Sequence, residues 1–122
     1  MTDELKKAIE NHKKMWAYIK EQEEAYGYVA NIDMRHALKA EYIDLNKIDD
    51  KLYNNCFLCD YAKKMQKKDG CTERMCKYCP CLWGSEPICK SFYCEHGMSG
   101  YVDWTTSRAE DIINLPIKPE LL

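Results

Sequence analysis

The fold is decided by a central stretch of the chain, CFLCDYAKKMQKKDGCTERMCKYCPC, which occupies residues 56–81. It contains two CxxC pairs, CFLC at residues 56–59 and CKYC at residues 76–79, with sixteen residues between them. A CxxC turn brings two thiolates onto one metal ion, and two such turns supply the tetrahedral Cys₄ shell that zinc accepts. The separation of the pairs is within the range of zinc modules. The predicted ligands of a first zinc ion are therefore Cys56, Cys59, Cys76 and Cys79.

Further cysteines and one histidine leave the number of zinc ions open. Cys89 and Cys94 are predicted as additional metal ligands, which would serve a second zinc ion or replace a member of the first site. The roles of Cys71, Cys81 and His96 are left open, since each could be a ligand or a plain buried side chain. Disulfides and an iron–sulfur cluster are the alternatives to zinc, although the spacing matches neither common ferredoxin pattern. We expect one zinc ion, with a second as an open alternative.

The start of the chain favours metal over disulfides. The segment MTDELK at residues 1–6 is charged and lacks the apolar core of a signal peptide, which predicts a cytoplasmic protein. Thiols stay reduced in the cytosol, so eight cysteines in such a chain indicate metal ligands rather than a disulfide framework.

Length and charge exclude some classes of function. The 122 residues fit one domain. The formal net charge is −2, which gives no overall attraction to nucleic acid or anionic lipid. No apolar run approaches the roughly 20 residues of a membrane-spanning helix, so no membrane partner is expected.

The single domain, residues 1–122, is predicted to be mainly α-helical. Residues 1–53 are expected to form a helical hairpin, and residues 54–100 a small cysteine-rich zinc-binding module. Residues 101–122 are expected to form a short C-terminal helix and a tail.

Residues that favour helix ends support this division for the hairpin. Thr2 can cap the first helix and Gly27 can stop it. The second helix is predicted to start near Asn31 or Asp33 and to run to Asn54.

Two shorter helices are predicted after the hairpin. One is expected from Tyr61 to Lys68, with Gly70 as its stop. The sequence SRAE at residues 107–110 predicts a capping box at the start of the last helix, and Pro116 ends that helix.

The first helix carries one stripe at alternating steps of four and three residues. The members of this stripe are Leu5, Ile9, His12, Trp16, Ile19, Glu23 and Tyr26. His12 is interpreted as a core or boundary histidine, because no chemical partner lies near it in the sequence. The apolar side of the second helix is predicted to contain Leu38, Tyr42 and Leu45.

A basic patch surrounds the predicted metal loop. The patch consists of Lys63, Lys64, Lys67, Lys68, Arg74 and Lys77. It could contact the phosphates of a nucleic acid, but a solvated helix face is the commoner origin of such a run. A Cys₄ zinc site would also offset part of the charge, because its net charge is −2.

Sequence motifs for catalysis are missing. The chain has no HExxH, and no His-x-Glu paired with Pro-Cys-x-x-Cys, so the predicted zinc is structural. No phosphate-binding glycine loop or dinucleotide fingerprint occurs either. We therefore expect that the protein is not an enzyme.

The cysteines belong to a longer sequence pattern. It consists of a CxxC pair, a second CxxC followed by proline, a further cysteine and a Tyr-x-x-Trp. The matching residues are Cys56, Cys59, Cys76, Cys79, Pro80, Cys89 or Cys94, Tyr101 and Trp104. Over about residues 53–116 the chain resembles a group of small, mostly uncharacterised cysteine-rich proteins of bacteriophages and prophages. The resemblance implies a phage accessory protein with bound zinc, and it implies no particular activity.

The favoured function is protein–protein interaction by a zinc-stabilised phage accessory protein. Inhibition of a host or defence protein is one form that this function could take, and the expected partner is a host or phage protein in the cytoplasm of the host cell. The alternative is a nucleic-acid-binding zinc protein that uses the basic patch from Lys63 to Lys77.

Overall fold

The computed structural model describes residues 1–27, 32–48, 52, 56–70, 78–82 and 107–122. The four α-helices of this part are α1 (Asp3–Tyr26), α2 (Ile32–Leu45), α3 (Phe57–Asp69) and α4 (Ala109–Ile113), and a 3₁₀ turn covers Pro119–Leu121. Of the described residues 74% are helical and none lies in a β-strand, which confirms the prediction of a mainly α-helical fold. Most of the predicted zinc-binding module, including its boundaries at residues 54 and 100, lies outside the described residues.

Helix α1 begins and ends where the sequence predicts. The Thr2 hydroxyl accepts a hydrogen bond from the Leu5 N–H at 3.2 Å, so it satisfies one of the free donors at the start of the helix. Gly27 follows the last turn with φ +68°, a left-handed conformation that glycine adopts without steric cost. Local sequence therefore determines the length of this helix.

All contacts between the described helices involve α1, which packs on α2, α3 and α4. The predicted stripe is the face that α1 buries; its buried members are Leu5, Ile9, His12, Trp16 and Ile19. The core adds Leu58 and Ala62 from α3 and Ile112 from α4. The stripe does not extend to the end of the helix as predicted, because Tyr26 is 67% exposed. Helices α1 and α2 do pack together, but α1 is the centre of the whole described fold.

Helix α2 starts as predicted but ends much earlier than Asn54. Lys47 adopts φ +50°, and the N–H of Ile48 donates to the carbonyl oxygen of Ile43 at 3.1 Å. This is the hydrogen-bond pattern of a Schellman motif, which closes a helix. Leu45 was predicted on the apolar side of this helix but is exposed.

Helix α3 is longer at its start than the predicted range from Tyr61 to Lys68. Cys56 is its N-cap and Phe57 its first residue, while Gly70 ends it with φ +63° as predicted. The start was misplaced because cysteine is not a usual capping residue.

The N-cap of α4 is Arg108, one residue after the Ser107 of the predicted capping box, and the Arg108 side chain makes no capping hydrogen bond. Glu110 accepts a hydrogen bond from the Arg108 guanidinium at 3.1 Å. The helix ends at Ile113, three residues before Pro116, in keeping with the restriction that proline places on preceding residues.

Candidate metal centre

The first CxxC pair lies at the start of α3. Cys56 caps the helix, and its Sγ accepts a hydrogen bond from the Cys59 N–H at 3.4 Å. The Cys56 carbonyl oxygen accepts from the Asp60 N–H at 2.9 Å, which makes it the acceptor of the first helical hydrogen bond. The free N–H groups and the dipole of a helix start favour negative charge, so this position suits a thiolate.

The segment 78–82 brings two more cysteines to the same region. It is held beside residues 116–118, because the Leu82 N–H donates to the Pro116 carbonyl at 2.8 Å and the Lys118 N–H donates to the Pro80 carbonyl at 2.9 Å. Cys79 and Cys81 are both buried in this segment. The four cysteines that the structure describes, at 56, 59, 79 and 81, form no disulfide with one another.

Electrostatic effects join the four thiols into one cluster, which we call the thiol cluster (Cys56, Cys59, Cys79 and Cys81). A hydrogen bond from the Cys59 thiol lowers the pKa of Cys56 to about 5, although burial opposes that shift. The same hydrogen bond raises the pKa of Cys59, as do burial and the charges of Cys56 and Cys79. Burial, followed by the charges of Cys79 and Cys56, raises the pKa of Cys81 to about 12. The charged thiols of Cys56 and Cys79 are thus close enough to Cys59 and Cys81 to oppose their ionisation.

Lys39 supplies positive charge to this cluster from α2. Lys39 is 4% exposed, and its ammonium lies 5.6 Å from the ring centroid of Trp16. The charge of Lys39 lowers the pKa of both Cys56 and Cys59, after the larger effects of their mutual hydrogen bond and burial. A buried ammonium is stable only near compensating partners, so its position favours ionised sulfur in the cluster.

His12 reaches the cluster from α1. Its Nε2 lies 3.0 Å from the carbonyl oxygen of Ile112, and the residue is 2% exposed. Burial lowers the pKa of His12 most, and the negative charge of Cys56 opposes that shift. His12 is therefore a neutral core residue, as the sequence suggests, but it also neighbours a candidate metal ligand.

The structure brings together only some of the predicted metal ligands. Cys56, Cys59 and Cys79 share the cluster, whereas Cys76, Cys89 and Cys94 lie outside the described residues, as do Cys71 and His96. Among the residues that are described, no group of three or more His, Cys, Asp or Glu side chains could hold a metal ion as arranged.

Two members of this region were missed in the sequence. Lys39 was not selected and His12 was judged to lack a chemical partner, whereas Cys81 had been named as a possible ligand or buried thiol. Spacing along the chain cannot find such residues, because α1, α2 and the segment at 78–82 meet only after folding.

Two of the four described members of the basic patch, Lys63 and Lys64, engage neighbouring side chains. Lys64 pairs with Asp60 at 3.1 Å, and Lys63 donates to the Gln66 side chain at 3.4 Å. Lys67 and Lys68 are exposed. Arg74 and Lys77 lie outside the described residues, so the patch as a whole is not tested.

Comparison with known proteins finds no matching family model, no matching curated protein and no matching solved structure. None of the helices in the described ranges is long and apolar enough to cross a membrane. The function is therefore inferred from the chemistry of the thiol cluster and from the packing around it.

Proposed function

We propose that this chain is a zinc-stabilised protein that acts through contact with another protein. Cys56, Cys59 and Cys79 are ligands of one zinc ion in this proposal, and Cys76 is the fourth ligand that the spacing predicts. The observation that carries it is the burial of Cys56 and Cys79 near the buried ammonium of Lys39, whose charge lowers the pKa of both Cys56 and Cys59.

The charge balance supports a divalent cation. In the thiol cluster the charges of Cys56 and Cys79 raise the pKa of both Cys59 and Cys81, so ionisation of all four thiols together is unfavourable without a cation. A zinc ion would remove this repulsion, because a coordinated thiol is deprotonated. Four thiolates around Zn²⁺ carry a net charge of −2, and the nearby Lys39 ammonium would offset part of it.

A structural role fits the surroundings of the cysteines. Cys56 and Cys79 are buried in the core, and the cluster joins α3 to the segment at 78–82. Metal binding at such a junction contributes directly to folding, on the order of 10 kcal/mol for structural zinc sites. The metal would therefore hold together parts of the chain that have few other contacts.

Protein contact is preferred over nucleic-acid contact. The net charge is −2, and Lys64 of the basic patch already pairs with Asp60. The resemblance to phage and prophage proteins supports a host or phage protein as the partner, in the cytoplasm of the host cell. Inhibition of a host or defence protein remains one form of this proposal. One zinc ion is proposed, with a second left to Cys89, Cys94 and the other cysteines outside the described ranges.

Elemental analysis of the protein purified under reducing conditions tests the metal. We expect one or two zinc ions per chain, and loss of one ion in the variant Cys56→Ser. The variant Lys67→Ala is the matched control, because this exposed side chain lies on the same helix away from the thiols. A wild-type protein without stoichiometric zinc would refute the proposal.

Titration with single- and double-stranded DNA and RNA tests the partner class. We expect no submicromolar binding at about 0.15 M salt, the condition in which phosphate contacts are already weakened. Submicromolar affinity that is lost when Lys63, Lys64, Lys67 and Lys68 are all replaced by Glu would favour the alternative, a nucleic-acid-binding zinc protein.

A further inference from the structure

A groove lies along α1 between α2 and α3. Both helices pack on α1, but within the described residues they do not pack on each other. The space has a volume of about 520 Å³, which is in the range of ligand sites in proteins. From α1 it is lined by Ala8 and Asn11, whereas the core is built by other residues of that helix, such as Ile9 and Trp16. We call this space the interhelical groove.

Aromatic side chains supply most of the apolar surface of the interhelical groove. Tyr42 comes from α2, and Phe57 and Tyr61 come from α3. All three residues are half-buried, so each keeps part of its surface open. The hydroxyls of Tyr42 and Tyr61 make no hydrogen bond within the described part of the chain, so they can donate to an acceptor on a partner. Aromatic residues with a polar tip are common anchors of protein interfaces.

The charged side chains around the groove have an excess of positive charge. Three lysines and two carboxylates line it, which leaves one positive charge in a chain whose net charge is −2. Lys64 is already paired with Asp60 at 3.1 Å. Lys7 and Lys14 are exposed and form no ion pair with any described residue, and only Glu4 opposes them. The charge that remains for a partner is therefore that of two lysines on α1.

The spacing of these two lysines limits what can bind. Lys7 and Lys14 are seven residues apart, so they lie near the same face of α1 and about 10 Å apart along its axis. Two acidic residues that are also seven positions apart on a partner helix have the same separation. Apolar side chains three and four positions after the first of them face the same way, towards the aromatic walls of the groove.

We propose that the interhelical groove binds an amphipathic helix of the partner protein, which carries two acidic residues seven positions apart and apolar residues between them. Its carboxylates pair with Lys7 and Lys14, and its apolar side chains contact Tyr42, Phe57 and Tyr61. Amphipathic helices bind in this way to apolar grooves between helices. This inference rests on the proposed function, contact with another protein, and it names the surface and the chemistry of that partner.

A designed peptide tests the groove on the purified full-length protein. The acidic peptide is a helix with Glu at two positions seven apart and Leu three and four residues after the first Glu. Its counterpart, the basic peptide, has Lys in place of both Glu residues. We expect saturable, micromolar binding of the acidic peptide in fluorescence anisotropy. In ¹⁵N-labelled protein the Asn11 amide should shift on binding, while the buried Ile19 amide should not.

Reversal of the two lysines tests the charge contacts. The double variant Lys7→Glu/Lys14→Glu should bind the acidic peptide at least about tenfold more weakly, because like charges then face each other. The matched control is Lys6→Glu/Lys67→Glu, which changes the net charge equally at exposed positions that do not line the groove, and it should stay within about twofold of the wild type. The basic peptide should bind the Lys7→Glu/Lys14→Glu variant more tightly than it binds the wild type. That reversal also shows that the variant is folded.

The outcomes distinguish this inference from the proposed function beneath it. No saturable binding of the acidic peptide up to about 1 mM overturns the inference. An equal loss of binding in the control variant also overturns it, and in both cases the proposed function stands, with its partner on another surface. Absence of stoichiometric zinc, or submicromolar affinity for nucleic acid, refutes the proposed function whatever the peptides do. Single-stranded RNA that displaces the acidic peptide would assign the groove to nucleic acid and overturn the inference.

Discussion

The Trp16 ring is close to two cations that are almost fully buried, Arg35 and Lys39. The Arg35 guanidinium carbon is 5.3 Å from the ring centroid, and the Lys39 ammonium is 5.6 Å from it. Such contacts are favourable because the face of the indole ring is electron-rich, and they gain strength when the cation is removed from water. Arg35 also forms an ion pair with Glu23, whereas the charge of Lys39 lowers the pKa of Cys56.

The first prediction concerns this ion pair. Glu23→Gln should lower the free energy of unfolding by about 3 kcal/mol, because it leaves the charge of the buried Arg35 without its carboxylate at 3.1 Å. Glu24→Gln is the matched control: its pair with Lys20 is exposed, and its loss should cost less than about 0.5 kcal/mol. Urea denaturation of both variants measures the difference. Equal stabilities would mean that the Glu23 pair contributes no more than a surface pair.

The second prediction concerns Tyr18, whose hydroxyl donates to Glu41 across α1 and α2. This hydrogen bond is the main reason that the pKa of Tyr18 is raised to about 12. Because the folded state holds this proton more tightly, its contribution to stability is complete below about pH 10 and is lost as the pH rises through 12. NMR titration of labelled tyrosine should show the Tyr18 pKa fall in Glu41→Ala. Glu21→Gln, which removes only a weak and distant charge, should change the Tyr18 pKa little.

At the scale of elements, helix ends were predictable where a single residue decides them. Thr2, Gly27 and Gly70 act through their own hydrogen bonds or dihedral angles, so α1 and the end of α3 followed from the sequence. The end of α2 did not, since it depends on a left-handed conformation at Lys47, a residue type that rarely adopts one. The start of α3 was missed because a thiol acts as its cap.

The third prediction tests the end of α3. Gly70→Ala should destabilise the protein by about 1 kcal/mol, because a side chain at φ +63° is strained even where space is free. No atom lies within 4 Å of the new Cβ, so the cost is conformational rather than a clash. Gly70→Asn is the control, since asparagine tolerates this conformation and should recover part of the loss. A Gly70→Ala variant as stable as the wild type would contradict this account when both are compared by urea denaturation.

At the scale of the whole molecule, the candidate site combines residues that are close in the sequence with residues that only folding brings together. The CxxC pair at 56–59 is a local motif, and its sulfurs do share a helix start as the spacing suggests. Lys39 and His12 belong to other helices, and their proximity to Cys56 follows from packing around α1. No periodicity within one element encodes that relation. Predicting it would have required the arrangement of α1, α2 and α4 in advance.

The fourth prediction concerns removal of the metal. A zinc chelator should expose the amides of Leu82 and Lys118 to hydrogen exchange, because the segment at 78–82 would lose its attachment to α3. Amides of Ile9 and Trp16 in the buried middle of α1 should keep more of their protection. Exchange measured by mass spectrometry with and without chelator gives the comparison. Unchanged protection at both Leu82 and Lys118 would show that the two backbone hydrogen bonds hold this segment without metal.

The contact between His12 and Ile112 joins residues that are 100 positions apart. A ribosome adds about 5 to 20 residues per second, so roughly 5 to 20 s pass between the synthesis of the two. Throughout that interval the stripe of α1 has no α4 to cover it, and the nascent chain presents apolar surface to the cell. Completion of this core is therefore a late event in translation.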